Sequence, residues 1–351
     1  MIGPSGGTGT VHDGGPGHPE RPARIDAVMA GVADLALELG DDLELVAPEP
    51  ADLAALARVH SAAYLTRLEQ FCRSGGGHLD PDTFAHPDSW PAALLSAGAG
   101  LQAIDLLRRR NEGVAFVATR PPGHHALADR AMGFCLLNNV AVAAAALAAS
   151  GERVLVVDWD VHHGNGTQAI FWDDPSVLYV STHQYPFYPG TGAAAEVGGS
   201  GAPGLTVNVP VPAGATGDVL RRALDEVAAP VIQGFGPTWV LVSAGFDAHR
   251  SDPLAELALS SGDFAVLARS VAAYAPAPGR LVLFLEGGYD LAALRSSVRA
   301  TLGALAGAPE SGRPGSGVPG SGEPERPTSG GPGSEFVAAA VAERWRALGV
   351  G

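Results

Sequence analysis

Residues 154–168 read VLVVDWDVHHGNGTQ, and this stretch indicates both a fold and a functional site. Its first four residues are apolar and mostly β-branched, which is typical of a strand that is buried on both faces. Polar residues follow at once: Asp158, Asp160, His162, His163 and Asn165. In open α/β sheets, ligands bind at the carboxyl ends of the strands, so these side chains are the first candidates for a function.

Apolar runs of the same kind recur along the chain, separated by polar loops and by stretches rich in Ala and Leu. The predicted strands cover residues 114–119, 154–158, 177–181, 205–209, 239–243 and 281–285. The predicted helices lie around residues 136–149, 218–229, 263–273 and 291–305. Apolar strands that alternate with helices predict a single α/β domain of three layers, with a mostly parallel central sheet between two layers of helices.

The composition narrows the class of protein. The chain has 351 residues, 46% of them hydrophobic, which is enough for one large domain. No apolar run reaches the roughly 18 residues of a membrane helix, and the N-terminus does not resemble a secretory signal. Cys72 and Cys135 are too few for a disulfide framework, so we expect a reducing, cytoplasmic compartment.

The charge bears on possible partners. The formal net charge is −15, and every one of the 22 basic residues is an arginine. An acidic surface repels phosphate backbones and attracts cationic ligands, such as basic peptides or polyamines. We therefore expect no direct nucleic-acid partner and no membrane partner, whereas the sequence leaves the oligomeric state open.

The composition changes near the C-terminus. Residues 307–334 are rich in Gly, Pro, Ser and Glu, and such a stretch cannot form a core. We expect a flexible linker there, between a catalytic domain at residues 1–306 and a short C-terminal helix at residues 335–351.

Candidate metal ligands follow two of the predicted strands. In an extended chain, side chains two residues apart share a face, so Asp160 and His162 could bind one cation, with Asp158 on the same side. Asp247 follows the strand at 239–243 and would complete a triad. Carboxylates and imidazoles suit Zn²⁺ or a similar divalent ion, and three protein ligands leave a position open, as in catalytic sites. Taken singly, these residues would more often form a hydrogen-bonded structural cluster or, for Asp247, a helix N-cap.

Two more strand ends carry candidate groups. His124 and His125 lie in a Pro-Gly turn after the strand at 114–119, where imidazoles suit proton transfer. Gly287 and Gly288 follow the strand at 281–285 and let the backbone approach a ligand, while Tyr289 supplies a phenol. A turn histidine and a packed aromatic ring are the alternatives for each residue alone. Because the four strand ends meet at one edge of a parallel sheet, we expect one site.

Seven segments together resemble the histone deacetylase family, in particular its class II and bacterial branch, which includes acetylpolyamine amidohydrolases. They are HPERPARI (18–25), RPPGHHA (120–126), GFCLLNN (133–139), DWDVHHGNGTQ (158–168), STHQYPFYPGTG (181–192), SAGFDAHRSDPL (243–254) and EGGYDL (286–291). The resemblance spans about residues 11–305, and it implies an arginase-like α/β fold, in agreement with the predicted strands.

The resemblance also implies roles for particular residues. It implies zinc ligands at Asp160, His162 and Asp247, and a structural potassium ion near Asp158, Asp160, His162, Ser181 and Thr182. The implied catalytic residues are His125 as general base and acid, His124 as a second imidazole, Tyr289 as a donor to the amide carbonyl, and Asp158 and Asn165 as partners of His124 and His125. The implied substrate-binding residues are Gly133, Phe134, Tyr188 and Leu254, besides Gly287 and Gly288.

The function implied is a zinc-dependent amidohydrolase, or deacetylase, that releases acetate from acetyl-lysine or a similar acylated amine. An acetylpolyamine amidohydrolase and a non-catalytic acyl-amine binding protein are the alternatives. Leu254 is apolar where polyamine-selective relatives of the eukaryotic type have glutamate, which favours acyl-lysine. The acyl chain preferred, and Fe²⁺ in place of Zn²⁺, stay open.

The chain departs from the family pattern in two places. Tyr188 stands where phenylalanine is expected, which adds a hydroxyl to the wall of the acyl-lysine tunnel that the resemblance implies. Family members usually begin with an apolar strand, but residues 2–10 are poor in apolar side chains. We therefore expect that this strand is missing or that the start of the sequence is misassigned.

Two further alternatives are less favoured. A binuclear, arginase-type hydrolase needs two carboxylates two residues apart on the strand that carries the third ligand, here Asp247. The position two residues before Asp247 is Gly245, which has no carboxylate. A binding module without metal is distinguished by the metal content of the purified protein.

Overall fold

A computed structural model of the protein describes residues 1–3, 12–15, 17–307 and 325–349. The helices are α1 (Ala23–Leu39), α2 (Leu53–Leu56), α3 (Ala62–Arg73), α4 (Ser89–Arg110), α5 (Asn139–Ala148), α6 (Asn165–Ile170), α7 (Gly217–Arg222), α8 (Ala229–Phe235), α9 (Ser261–Ala272), α10 (Leu291–Leu305) and α11 (Ser334–Ala347). The strands are β1 (Gly77–His78), β2 (Phe84–Ala85), β3 (Ala115–Val117), β4 (Val154–Asp158), β5 (Val177–Gln184), β6 (Thr206–Val211), β7 (Trp239–Ala244) and β8 (Leu281–Leu285).

The six predicted strands form one parallel sheet in the order β3-β8-β7-β4-β5-β6. β4 lies in the middle, where Asp158 pairs with Ser243 of β7 on one side and with Ser181 of β5 on the other. The strand ends that carry the candidate residues therefore lie next to one another. The prediction of a parallel α/β sheet is confirmed.

Alternation along the strands divides the core between the two faces of the sheet. Leu155 and Val157 of β4 pack in a cluster with α1, α9 and α10, while Val154 and Val156 pack with α4 and α5 on the other face. All five residues of β4 are buried, which explains why its first four residues are all apolar. The three-layer arrangement is thus also confirmed.

Several helices were not predicted, and α4 shows why. Its buried residues lie on much of its circumference, so the helical periodicity is weak. Gly98 and Gly100 allow a close approach, since a Cβ at Gly98 would lie 2.0 Å from the Glu49 carbonyl oxygen and one at Gly100 would lie 2.5 Å from the Phe284 ring. None of the helices in the described ranges combines the length and the apolar character needed to cross a bilayer.

The first edge of the sheet differs from the expectation of a missing strand. Ile2 forms parallel bridges with Val46 and Val117 and is buried. Its N–H donates to the Phe116 carbonyl at 2.9 Å, and its own carbonyl accepts from the Ala118 N–H at 2.8 Å. A very short strand-like segment thus covers β3, and it was missed because one apolar residue gives no periodicity. The rest of the stretch in question, residues 4–10, lies outside the described residues.

The described part of the C-terminal segment contacts the domain. Of the expected flexible linker at 307–334, residues 308–324 lie outside the described residues, whereas residues 325–333 lie along the domain and are hydrogen-bonded to it. Helix α11 then packs with Val337 and Ala340 in the core, and the Arg344 guanidinium donates to the carbonyls of Gly204 and Thr206. These contacts fix the segment on the β6 side of the sheet.

Candidate active site

Asp160, His162 and Asp247 meet at the carboxyl edge of the sheet, because β4 and β7 are neighbours. One potential ligand atom from each residue lies within 4.8 Å of the others. His162 Nδ1 is 3.1 Å from Asp160 Oδ1 and 3.2 Å from Asp247 Oδ2. The two carboxylates are fully buried, and the His162 side chain is 12% exposed, so the cluster is accessible from one side.

The chemistry of this triad fits a divalent cation. Asp247 Oδ2 is buried, and apart from its contact with His162 Nδ1 at 3.2 Å it has no hydrogen-bond partner, which is costly for a carboxylate unless a positive group binds it. Burial works against a charged imidazole, but the bonds to Asp160 and Asp247 outweigh it and raise the pKa of His162 to about 10. The two carboxylates thus hold one positive charge between them. A Zn²⁺ ion bound by two carboxylates and one imidazole could take its place, with a coordination position left open.

The adjacent histidines have different partners and opposite protonation. His124 Nδ1 lies 3.0 Å from Asp158 Oδ2, and His125 Nδ1 lies 2.8 Å from Asn165 Oδ1. Burial disfavours charge on His124, but the carboxylates of Asp158 and Asp160 overcome it and raise its pKa to about 10. Burial and the positive charges of His124 and His162 lower the pKa of His125 well below its usual value. His125 is therefore a neutral imidazole at pH 7, and His124 is charged.

Tyr289 follows Gly287 and Gly288, whose backbone lies against the carboxylates of the triad. The Gly287 N–H donates to Asp160 Oδ2 at 2.8 Å, and a Cβ at Gly287 would lie 1.9 Å from Asp247 Oδ2. Gly288 has a φ of +120°, which favours glycine. The ring of Tyr289 is buried, and burial raises the pKa of its hydroxyl well above the usual value. The hydroxyl stays protonated at neutral pH and can donate a hydrogen bond.

Aromatic rings surround the accessible side of the triad. Phe134 lies edge-on to Tyr289 at 5.9 Å, and Tyr188 lies edge-on to His125 at 5.2 Å. Tyr188 is 37% exposed, so it stands at the entrance. Gly133 has a φ of +56°, and a Cβ there would lie 2.4 Å from the His125 ring, which explains the glycine beside Phe134.

The remaining expected residues lie near this site. Leu254 is half-buried in the loop after β7, where its N–H donates to Asp252 Oδ1 at 3.0 Å. Ser181 and Thr182 are buried on β5, next to the end of β4. The Ser181 hydroxyl lies 2.9 Å from His183 Nδ1. At position 245, a Cβ would lie 2.0 Å from Asp160 Oδ2, so a bridging carboxylate for a second metal does not fit.

Phe187, Glu286 and Asp252 also belong to the site and were not predicted from the sequence. The Phe187 ring stacks on His162 at 5.4 Å. Glu286 is buried and accepts the N–H groups of Gly123, at 2.7 Å, and His124, at 3.1 Å; burial raises its pKa to about 7. Asp252 Oδ2 accepts the Tyr289 N–H at 2.7 Å. The signal for Glu286 was a carboxylate directly after five apolar strand residues.

A buried ion-pair network lies behind Tyr289 and was not predicted either. Glu20 binds the guanidinium groups of Arg24 and Arg120. Arg24 also donates to the Gly288 carbonyl at 2.7 Å and to that of Glu286, and its guanidinium lies 4.9 Å from the centre of the Tyr289 ring. The network fixes the backbone of Gly287 and Gly288. In the sequence, the charged residues among positions 18–25 were the indication of this network.

Known proteins are similar to this chain in sequence and in fold. A protein-family model described as the histone deacetylase domain matches residues 18–305. The chain is 42% identical over 312 residues to histone deacetylase 10, chloroplastic, of Oryza sativa subsp. japonica, covering 83% of this chain and 70% of that protein. It is 41% identical over 279 residues to a histone deacetylase-like amidohydrolase of Pseudomonas aeruginosa, covering 74% and 73% respectively. The crystal structure of the HDA15 HD domain is similar with a TM-score of 0.85 and 32% identity, over 99% of this chain and 93% of that one.

Proposed function

Since the chain belongs to the histone deacetylase family, a family of deacetylases and amidohydrolases, we propose that it is a zinc-dependent amidohydrolase. It would remove acetyl or another short acyl group from an acylated amine. The observation that carries the proposal is the buried Asp160–His162–Asp247 triad, whose ligand atoms lie within 4.8 Å of one another. A neutral histidine, a charged histidine and a protonated phenol flank it.

Asp160, His162 and Asp247 would hold the zinc ion, which would polarise the amide carbonyl and lower the pKa of a bound water. His125 would accept the proton of the attacking water. The side-chain oxygen of Asn165 can only accept a hydrogen bond, so Nδ1 of His125 carries the proton and Nε2 is free to act as the base. The same nitrogen would later donate that proton to the leaving amine.

The other residues would stabilise charge. The Tyr289 hydroxyl would donate to the carbonyl oxygen as it becomes negative, an interaction worth about 3–4 kcal/mol for one well-placed donor. His124, charged and held by Asp158, would add a fixed positive charge beside the reacting atoms. Asp158 would act by orienting His124, since it is fully buried and its carboxylate lies 3.0 Å from His124 Nδ1.

We further propose that the substrate is acetyl-lysine in a peptide or protein. Phe134 and Tyr188 flank the entrance and suit an aliphatic chain, while the apolar Leu254 in the loop after β7 offers no charge to a second amine. An acetylpolyamine is the alternative, since the net charge of −15 would attract a polyamine as well as a basic peptide.

A structural potassium ion is also part of the proposal. Asp158, Asp160 and His162 at the end of β4, with Ser181 and Thr182 on β5, would bind it, mostly through backbone oxygens. A reducing, cytoplasmic setting is proposed as well, supported by the two cysteines, Cys72 and Cys135, which are free and buried. Fe²⁺ is the alternative to Zn²⁺ in the triad.

The test is kcat/KM of the zinc-loaded protein on an acetyl-lysine peptide, N-acetylputrescine and N8-acetylspermidine. We expect a preference of about 100-fold, or about 2.7 kcal/mol, for the peptide. Tyr289→Phe should lower kcat by about 10²–10³-fold while the protein stays folded, because only the donor to the oxyanion is lost.

Other outcomes assign other functions. A similar preference for the polyamines would identify an acetylpolyamine amidohydrolase and contradict the interpretation of Leu254. A Tyr289→Phe variant that keeps more than about a tenth of the wild-type kcat would contradict the role of Tyr289. An absence of turnover with zinc bound and acyl-amine affinity retained would favour a binding protein.

A further inference from the structure

Residues 325–333, which we call the C-terminal strap, contact the loop that follows β7. The Glu325 carboxylate accepts from His249 Nε2 at 2.9 Å and from the Ser261 N–H at 3.1 Å, and it also binds the Arg250 guanidinium. Glu325 thus joins the strap to two parts of the chain, namely the loop at residues 245–260 and the start of α9.

The strap packs closely against the start of α9. A Cβ at Gly262 would lie 2.1 Å from the Glu325 carbonyl oxygen, so only glycine allows this approach. The Ser260 hydroxyl donates to the Arg326 carbonyl at 2.8 Å, and the Thr328 N–H and hydroxyl donate to the Asp263 carboxylate at 2.9 and 2.8 Å. These bonds, and α11 with its anchors Val337 and Arg344, attach the strap to the domain, whereas the Glu325 carboxylate alone contacts His249.

His249 connects Glu325 to the candidate active site. Its Nδ1 accepts the Ser251 N–H at 3.1 Å, so Nε2 carries the proton and donates it to Glu325. The His249 carbonyl accepts the Asp252 N–H at 2.8 Å, and Asp252 in turn accepts the Tyr289 N–H at 2.7 Å. Asp247 lies two residues before His249 on the same loop. One end of this chain of contacts is therefore Glu325, and the other is Tyr289.

We propose that Glu325 is a positioning residue for amide hydrolysis. Through His249 it fixes the loop that carries the metal ligand Asp247 and, through Asp252, the backbone of Tyr289. This inference rests on the proposed function, since it assigns Tyr289 and Asp247 their roles. Thr328 instead contacts Asp263 on α9 and the Gly217 N–H at the start of α7, which separates positioning from simple attachment of the C-terminus.

The experiment compares variants of the full-length, zinc-loaded protein. Glu325→Ala should lower kcat on the preferred amide about tenfold with little change in KM, because displacement of catalytic groups by a fraction of an ångström has effects of this size. Glu325→Gln keeps an acceptor for His249 and should recover most of the lost rate. Thr328→Ala should lower the melting temperature but leave kcat unchanged, and Glu335→Ala, at an exposed position of α11, should change neither.

A double-variant cycle tests the route of the effect. If Glu325 acts through His249, the His249→Gln and Glu325→Ala changes overlap, and the double variant should be about as slow as the slower single variant. Multiplication of the two effects on kcat would overturn the proposal, as would a Glu325→Ala variant with wild-type kcat, or equal losses of kcat in Glu325→Ala and Thr328→Ala.

A measurement independent of turnover separates this inference from the proposed function. Hydrogen exchange at the amides of Ser251, Asp252 and Tyr289 should become faster in Glu325→Ala but not in Thr328→Ala. If the wild type hydrolyses none of the amides, the proposed function fails, and these exchange rates still decide the positioning. Unchanged rates at the three amides in Glu325→Ala would overturn it.

Discussion

Asn165 sets the chemical state of His125, since it is the partner of Nδ1 at 2.8 Å. A neutral amide oxygen accepts the Nδ1 proton without stabilising a positive charge on the ring as a carboxylate would. The neighbouring His124 has a carboxylate in the equivalent position and a raised pKa. The difference between an amide and a carboxylate therefore distinguishes the base from the charged imidazole.

Asn165→Asp tests this distinction. A carboxylate at this distance should raise the pKa of His125 by about 1–3 units. Because the base acts in its neutral form, the acidic limb of the pH profile of kcat/KM should move to higher pH by the same amount. The profile is measured on the preferred amide, with Asn111→Asp at an exposed helix end as the control. Identical acidic limbs in wild type and variant would contradict the assignment of His125.

Gly287 provides a second test at the scale of single residues. In Gly287→Ala, the new methyl group would lie 1.9 Å from Asp247 Oδ2 and 2.7 Å from Asp160 Oδ2, so both carboxylates must move. We expect the affinity for Zn²⁺ to fall by at least about tenfold, measured by competition with a chelator. Gly234→Ala is the matched control, because a Cβ on that residue of α8 meets no atom within 4 Å. Unchanged affinity in Gly287→Ala would contradict the proposed metal site.

Single functional residues were predictable from the sequence where they form a local pattern with the residues around them. Asp160 and His162 were recognisable because they follow a buried strand at a spacing of two. The pairing of His124 with Asp158 and of His125 with Asn165 came from the resemblance, and the structure brings both pairs together. Glu286 and Asp252 were missed because they act on backbone N–H groups distant in sequence, and no spacing records such contacts.

At the scale of elements, strands buried on both faces were predicted best. β4 and β8 have the predicted bounds, because the apolar run ends at the last residue of β8 and one residue before the last residue of β4. β5 continues to Gln184, past the apolar run, since its polar residues still pair with β6. Helix α4 gave no periodic signal because small residues pack on several of its sides.

Helix α11 makes a prediction that concerns stability alone. Arg344 binds two carbonyls at the beginning of β6 and just before it, and Arg344→Ala would leave these buried acceptors without donors. We expect the free energy of unfolding to fall by about 1–3 kcal/mol, measured by urea denaturation, with kcat unchanged. Arg346→Ala, on the exposed side of the same helix, should have almost no effect. Equal stabilities of the two variants would show that the Arg344 contacts with β6 do not stabilise the fold.

At the scale of the whole molecule, Glu20 joins parts of the chain that are far apart in sequence. It binds Arg24 on α1 and Arg120 after β3, and it lies 3.6 Å from His12. Burial alone would raise the pKa of Glu20, but the two guanidinium groups lower it to about 2. The folded protein therefore holds the carboxylate ionised well below the pH at which the unfolded chain protonates it.

Glu20→Gln should show how much the ionised Glu20 carboxylate contributes to the stability of the fold. At pH 7 the variant should be less stable by about 3 kcal/mol, since two buried arginines lose their charged partner. A depressed pKa stabilises the folded state above the unfolded value of 4.5, and that stabilisation is lost as the pH falls towards about 2. The difference from wild type in urea denaturation should thus shrink over this interval. A difference independent of pH would contradict the ion pair, and Glu49→Gln at an exposed position is the control.

The position of Gly245 has a consequence for protein engineering. Because a Cβ there would lie 2.0 Å from Asp160 Oδ2, a second metal ion cannot be introduced simply by placing a carboxylate at that position. Asp160 cannot easily make room, since the Gly287 N–H binds it, and β4 and β7 are paired along their whole shared length. Conversion of this scaffold into a two-metal hydrolase therefore requires two strand ends to be rebuilt together.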